Sequence, residues 1–240
     1  MMRTLSVLLC SLVLSFAVSL PAAGSQAASD DAYVRFLHAS PDLLNVDVYV
    51  DGHRVLEGFE FQSVSDYASL RGGKHKVELF ASGETETPIV RDSFELEPGV
   101  AVTAAIAGQE EDLDVALFPD RSGGRGDQAS LRLIHLSPNA PEVDVSADDR
   151  ALFTGIGVLT ASQYSDLPAG EVNLSINPSG NPEAPTVSEV ALDLEPGKAY
   201  STVLMGVAGQ APGLEVLLLE DGVVPGLPKS GMGGASPIVE

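Results

Sequence analysis

The sequence predicts an all-β protein: two tandem immunoglobulin-like antiparallel β-sandwich domains. Three observations predict it. Apolar residues alternate with period two over short segments, as strands with one buried face require. Turn signals such as Asp51-Gly52, Arg71-Gly72-Gly73, Ser82-Gly83 and Glu97-Pro98-Gly99 separate those segments. The second half of the chain repeats the first.

Taken in order, residues 1–28 read as a secretory signal peptide. Arg3 is the lone charge, Leu5 to Leu20 is apolar apart from small polar residues, and small residues suited to cleavage follow. The apolar run is short for a full membrane span of roughly 20 residues. Cys10, the only cysteine, lies inside it, so the mature chain has neither disulfide nor thiolate chemistry. Residues 29–121 form the first domain. Val34, Phe36 and His38 share one strand face and Arg35 and Leu37 the other; Val46, Val48 and Val50 likewise share a face. Further strands are expected over Lys76–Phe80, Ile89–Leu96, Val100–Ala107 and Leu113–Phe118.

Residues 122–129 are glycine-rich and polar and read as a flexible linker. The linker contains Arg125-Gly126-Asp127, a tripeptide that some adhesive ligands show to integrins. In so biased a segment it is taken as an accident of composition. Residues 130–222 form the second domain, with strands over Val172–Ile176, Val187–Leu194, Ala199–Gly206 and Leu214–Leu219. Residues 223–240 are a flexible Gly/Pro-rich tail. Leu227-Pro228-Lys229-Ser230-Gly231 resembles a sortase signal with Ser for Thr, but the apolar segment and basic end are missing.

Over residues 34–73 and 131–170 the duplication is legible without gaps. Val34-Arg35-Phe36-Leu37-His38-Ala39-Ser40-Pro41 answers Leu131-Arg132-Leu133-Ile134-His135-Leu136-Ser137-Pro138, 97 residues on. The same offset carries Val46-Asp47-Val48 onto Val143-Asp144-Val145, Gly58 onto Gly155 and Tyr67 onto Tyr164. Leu96-Glu97-Pro98-Gly99 and Leu113-Asp114-Val115 also recur, slightly out of step, as Leu194-Glu195-Pro196-Gly197 and Leu214-Glu215-Val216. Two copies make a tandem pair and not a solenoid. The ordered set His-x-Ser-Pro, Val-Asp-Val, Tyr before Leu-x-x-Gly, and Leu-Glu-Pro-Gly resembles the bacterial domain of unknown function 4397 family. That resemblance implies secreted or surface β-sandwich modules, with no activity attached. Copy two departs from the pattern where Ser146 replaces Tyr49 and Asp149 replaces Gly52, so its first hairpin is expected to be looser.

The formal net charge is −21, and loss of Arg3 with the signal makes it −22. So acidic a chain disfavours nucleic acid and anionic membranes as partners. The duplicated set His38, Ser40, Pro41 and Asp47, recurring as His135, Ser137, Pro138 and Asp144, is the candidate site. Ser, His and Asp could make a nucleophilic site if the imidazole reached the hydroxyl with the carboxylate behind it. Yet Ser40 precedes a proline at a strand end, and no strained nucleophile elbow surrounds it. The set is therefore read as a structural corner, its serine hydroxyl bonded to a nearby backbone amide and its histidine tying down a loop.

Four histidines with no ligand spacing give no metal site, and His53 and His75 have no counterpart in copy two. Glu110-Glu111-Asp112 and Asp148-Asp149 could hold Ca²⁺ only loosely, lacking the ligand alternation of an EF-hand loop. No tryptophan and only five tyrosines leave few rings for sugars; Tyr67 and Tyr164 are expected to pack at a sheet edge. No cofactor is expected. The sequence thus reads as a non-catalytic exported module, acting in adhesion or interaction with an envelope component. The alternatives are a hydrolase using the duplicated set and a Ca²⁺-dependent adhesive or matrix component.

Overall fold

The computed structural model describes residues 30–109, 112–181 and 186–222. The expected signal peptide with Cys10, Glu110-Glu111 and the 227–231 motif lie outside the described residues. Copy one runs β1 (Asp31–His38), β2 (Asn45–Val50), β3 (His53–Glu60), β4 (Ala68–Arg71), β5 (Gly73–Ala81), β6 (Val90–Leu96), β7 (Ala101–Ala107) and β8 (Asp114–Asp120). Copy two runs β9 (Gln128–His135), β10 (Val143–Ala147), β11 (Arg150–Ile156), β12 (Thr160–Ala161), β13 (Ser165–Pro168), β14 (Gly170–Pro178), β15 (Ser188–Leu194), β16 (Ala199–Met205) and β17 (Glu215–Asp221). The fold is all-β, and each copy is a sandwich of two sheets. No helix of the described residues is long and apolar enough to cross a membrane.

In copy one an outer sheet, β3-β2-β5-β6, packs on an inner sheet, β4-β1-β7-β8. Copy two repeats this with β11-β10-β14-β15 outside and β12-β9-β16-β17 inside, β13 also pairing with β9. The expectation of wholly antiparallel sheets needs one correction per copy: β1 runs parallel to β7, and β9 parallel to β16. Parallel neighbours need a long crossover, and here the whole outer sheet lies between them in sequence.

Each copy has its own core between its two sheets. Val34, Phe36, Val48, Leu79, Phe94 and Ile106 fill the first; Leu131, Leu133, Val145, Leu174, Leu194 and Leu204 fill the second. A third core joins the copies. Leu37, Ala39, Ala105, Ala107 and Phe118 of the first inner sheet pack on Ile134, Leu136, Val203, Met205 and Leu219 of the second. The molecule is thus four sheets deep. This explains why every residue of β7 and of β16 is buried, whichever face it points to. A strand covered on both sides reads as a continuous apolar run and not as an alternation.

The segment between β8 and β9 is held against copy two. The Gly124 N–H donates to the Gly197 carbonyl at 2.8 Å. A Cβ on Gly124 would lie 2.4 Å from the Gln128 oxygen and 2.7 Å from the Lys198 oxygen, so only glycine fits. The side chain of Arg125 is 77% exposed.

The β2–β3 hairpin turns through Asp51 and Gly52, both at positive φ (51° and 81°), the two-residue turn that matches strand twist. Copy two makes the same turn with Asp148 and Asp149 at 45° and 64°. Asp148 Oδ1 accepts the Asn173 N–H as Asp51 Oδ1 accepts that of Lys76. The second hairpin is therefore not looser. It keeps its geometry and holds a non-glycine residue in the left-handed region.

Candidate functional site

His38 ends β1 on the inward face shared with Val34 and Phe36, and its side chain is fully buried. Its ring lies 6.1 Å from the Phe59 ring and 6.2 Å from that of Phe61. Neither ring nitrogen has a hydrogen-bond partner among the described residues. Burial pushes its pKa down to about 4. His135 is equally buried and also pushed down, but its Nε2 donates to the Pro141 carbonyl at 3.0 Å. It does tie down the loop beyond β9, as expected; His38 does not.

The serines correct the sequence reading. Ser40 and Ser137 are fully buried, and neither hydroxyl finds a partner among the described residues, so neither bonds a backbone amide. That bond is made by another duplicated pair. Ser65 Oγ accepts the Phe36 N–H at 2.8 Å, and Ser162 Oγ accepts the Leu133 N–H at 2.9 Å. The signal was available, since Ser65 and Ser162 stand at the same 97-residue offset, two residues before the repeated tyrosine.

Asp47 and Asp144 have a different role from that of a triad acid. Asp47 Oδ1 accepts the Gly58 N–H at 2.8 Å, and Asp144 Oδ1 the Gly155 N–H at 2.8 Å. Gly58 and Gly155 sit at φ +58° and +65°, and the pairing register slips opposite each aspartate. The carboxylate therefore pins a β-bulge. Burial alone would raise the Asp47 pKa, but the amides of Gly58 and Gly83 hold it below the usual range; the Gly155 amide does so for Asp144. No hydrogen bond among the described residues links His38, Ser40 and Asp47, or their counterparts.

The densest meeting of charged side chains lies elsewhere, between the inner sheets. Arg35 Nη2 donates to Asp221, and Arg132 Nη2 donates to Asp120. Arg35 Nη1 reaches the Glu220 carbonyl at 2.8 Å, and Arg132 Nη1 the Pro119 carbonyl at 2.7 Å. Arg35 Nε donates to Thr103 and Arg132 Nε to Ser201. Tyr67 donates to Asp120 at 2.6 Å and Tyr164 to Asp221 at 2.7 Å. Each guanidinium also lies over the tyrosine ring of its own copy, at 4.9 and 4.7 Å. Each of these contacts made by one copy is returned by the other, which makes the cluster a pseudo-twofold, isologous interface. Burial and Asp221 push the Asp120 pKa up while Arg35 and Arg132 pull it down. Tyr67 and Tyr164 border their inner sheets as expected, but with their hydroxyls turned into this cluster.

A cleft of about 590 Å³ opens at one end of the seam, lined by Gly108, Gln109, Asp112, Leu113 and Asp114 of copy one and by Pro138, Val158 and Leu159 of copy two. Among the described residues, no group of three or more His, Cys, Asp or Glu side chains is placed to hold a metal ion.

Fold and site together define a tandem β-sandwich protein whose copies are clamped face to face. The chain belongs to the family described as domain of unknown function (DUF4397), which matches it twice, over residues 32–146 and 129–230. No curated protein matches it. Among solved structures it is similar to the Bacillus anthracis TIE protein, at 11% identity over 75% of this chain and 34% of that one, with a TM-score of 0.23. It is also similar to a leucine-rich repeat protein from Bacteroides thetaiotaomicron, at 13% identity over 75% and 26%, with a TM-score of 0.22. A third is a family CBM26 module of Eubacterium rectale Amy13K in complex with maltoheptaose, at 8% identity over 79% and 96%, with a TM-score of 0.23. The chain thus spans about a third and a quarter of the first two. At these scores the likenesses carry no argument.

Proposed function

We propose that the chain is a non-catalytic exported module of the cell envelope or extracellular space that acts by binding another component. One observation carries this reading. The duplicated polar residues that could have formed a nucleophilic site are sealed inside each sandwich, and their aspartates are committed to bulge amides. A nucleophile must meet its substrate and its base at once; fully buried Ser40 and Ser137, unbonded to His38 and His135, offer neither. The duplication instead supports a pair of sandwiches locked together and displaying their outer surfaces. The signal-like residues 1–28 supply the export, and the net charge of −21 favours cationic partners over nucleic acid.

The test pairs two experiments on the mature protein. A pull-down from envelope extracts should capture a saturable partner. An ester, peptide and glycoside screen should show no turnover that depends on Ser40 or Ser137. Turnover that vanishes in Ser40→Ala or Ser137→Ala, while folding persists, overturns the reading.

A further inference from the structure

The pseudo-twofold symmetry of the seam also fails at its ends: one is tied by a side-chain bond and the other carries the cleft. Gln62 and Leu159 are equivalent, 97 residues apart, and both lie at positive φ (68° and 57°). Asp114 and Glu215 are also equivalent: Asp114 starts β8 opposite Ala107, and Glu215 starts β17 opposite Met205. At one end of the seam Gln62 Nε2 donates to Glu215 Oε2 at 2.6 Å and ties the copies together. At the other end Leu159 stands where the glutamine would be and has nothing to donate to Asp114. There the cleft lies open.

Its chemistry is mixed in a specific way. Leu113, Pro138, Val158 and Leu159 give it apolar walls, and Leu159 is 37% exposed, one of four large apolar side chains so exposed among the described residues. Asp112 and Asp114 supply exposed carboxylates, and Gln109, held by Asp42, brings a third to the vicinity. No cation pairs with Asp112 or Asp114 in any ion pair of the described residues. The volume suits a few side chains and lies within the usual range for binding clefts.

We propose that this cleft receives a basic peptide segment in which a lysine stands beside an apolar residue. The apolar side chain would rest on Leu159 and Val158, and the ammonium would meet Asp112 and Asp114. The chain's net charge of −21 would steer such a segment to the surface. This rests on the reading of the protein as a binding module and names the partner's chemistry for it.

The test is a titration of the ¹⁵N-labelled mature chain with acetyl-Gly-Leu-Lys-Leu-Lys-Gly-amide, against the same peptide with Glu for Lys. The expected result is saturable shifts at Gly108, Gln109, Leu113, Asp114, Val158 and Leu159, weaker in high salt and absent with the Glu peptide. Leu159→Gln restores the symmetry and supplies the missing donor to Asp114; it should lower affinity about tenfold or more. Asp114→Asn, on an exposed residue, should do the same without closing the cleft. Unperturbed amide shifts in the outer sheets verify that both variants fold. Absent or non-saturating shifts, equal binding of the Glu peptide, or affinity unchanged in both variants overturns the assignment. If it falls while the envelope pull-down still yields a saturable partner, the module reading stands without the cleft. Ser40-dependent turnover would instead remove the module reading whatever the cleft binds.

Discussion

Two single residues make measurable predictions. His38 is buried without a hydrogen-bond partner among the described residues, and its pKa is held at about 4 against 6.5 for the free group. The unfolded chain takes up that proton below about pH 6.5, the folded chain only near pH 4. Stability is therefore full above 6.5 and is lost as pH falls from 6.5 to 4, by about 3 kcal/mol at the lower limit. Urea midpoints measured from pH 4 to 7.5 should show that slope, and His38→Leu should reduce it; an unchanged slope would mean the ring is not the acid-sensitive group. Asp149 gives the second prediction. It holds a left-handed backbone where copy one has Gly52, so Asp149→Gly should raise stability by about 0.5–1 kcal/mol, read as a higher thermal midpoint. At this scale the sequence was informative about burial and less so about bonding. Strand parity put His38 inside, and the repeat marked Asp47 and Gly58 separately. Nothing local said that the aspartate accepts that glycine's amide, because the bond depends on a register slip between two strands.

At the scale of elements, the strands expected from alternation appear with ends moved by a few residues. The central strands β1, β7, β9 and β16 are the instructive ones. Arg35 and Leu37 read as the outward face of β1, and in an isolated sandwich they would meet solvent. They are buried because a second sheet covers that face. One sign of this lay in the residues of Ala101–Ala107, nearly all apolar with no solvent face to mark. The position of Asp120 and Asp221 at the matching ends of β8 and β17 could not be linked to the arginines without knowing that the inner sheets pack together. The pairing can be tested by a double-mutant cycle. Arg35→Met alone leaves Asp221 buried without its guanidinium and should cost about 3–5 kcal/mol. Arg35→Met with Asp221→Leu removes both charges and should cost clearly less than the sum of the two single changes. Additive losses in chemical denaturation would show that the two groups do not depend on each other.

At the scale of the molecule, the interface is symmetric in its buried charge cluster and asymmetric in its packing. Ala39, Ala105 and Ala107 of copy one correspond to Leu136, Val203 and Met205 of copy two. Small side chains of one inner sheet thus meet large ones of the other. A pair of first copies would keep the Arg35–Asp120 charge match but leave voids where alanine faces alanine. A pair of second copies would crowd leucine, valine and methionine together. The packing therefore selects the mixed pair, and the short tether raises its effective concentration further. Each copy has its own sandwich core, filled by Val34, Phe36 and Leu79 in one and by Leu131, Leu133 and Leu174 in the other. A lone copy would nevertheless expose Leu37 and Phe118 and leave Arg35 and Asp120 short of their partners. Residues 29–121 and 122–240, produced separately, should each give dispersed amide spectra with lowered stability. When mixed they should form a one-to-one complex in preference to either homodimer, as read by native mass spectrometry. Arg132→Met in the second fragment should weaken that complex at least tenfold, because Asp120 of the first then loses its nearest cation. Undispersed spectra for both fragments would show instead that the two copies fold only as one body, and homodimers as abundant as the mixed pair would show that the alanine-to-leucine exchange does not set partner choice.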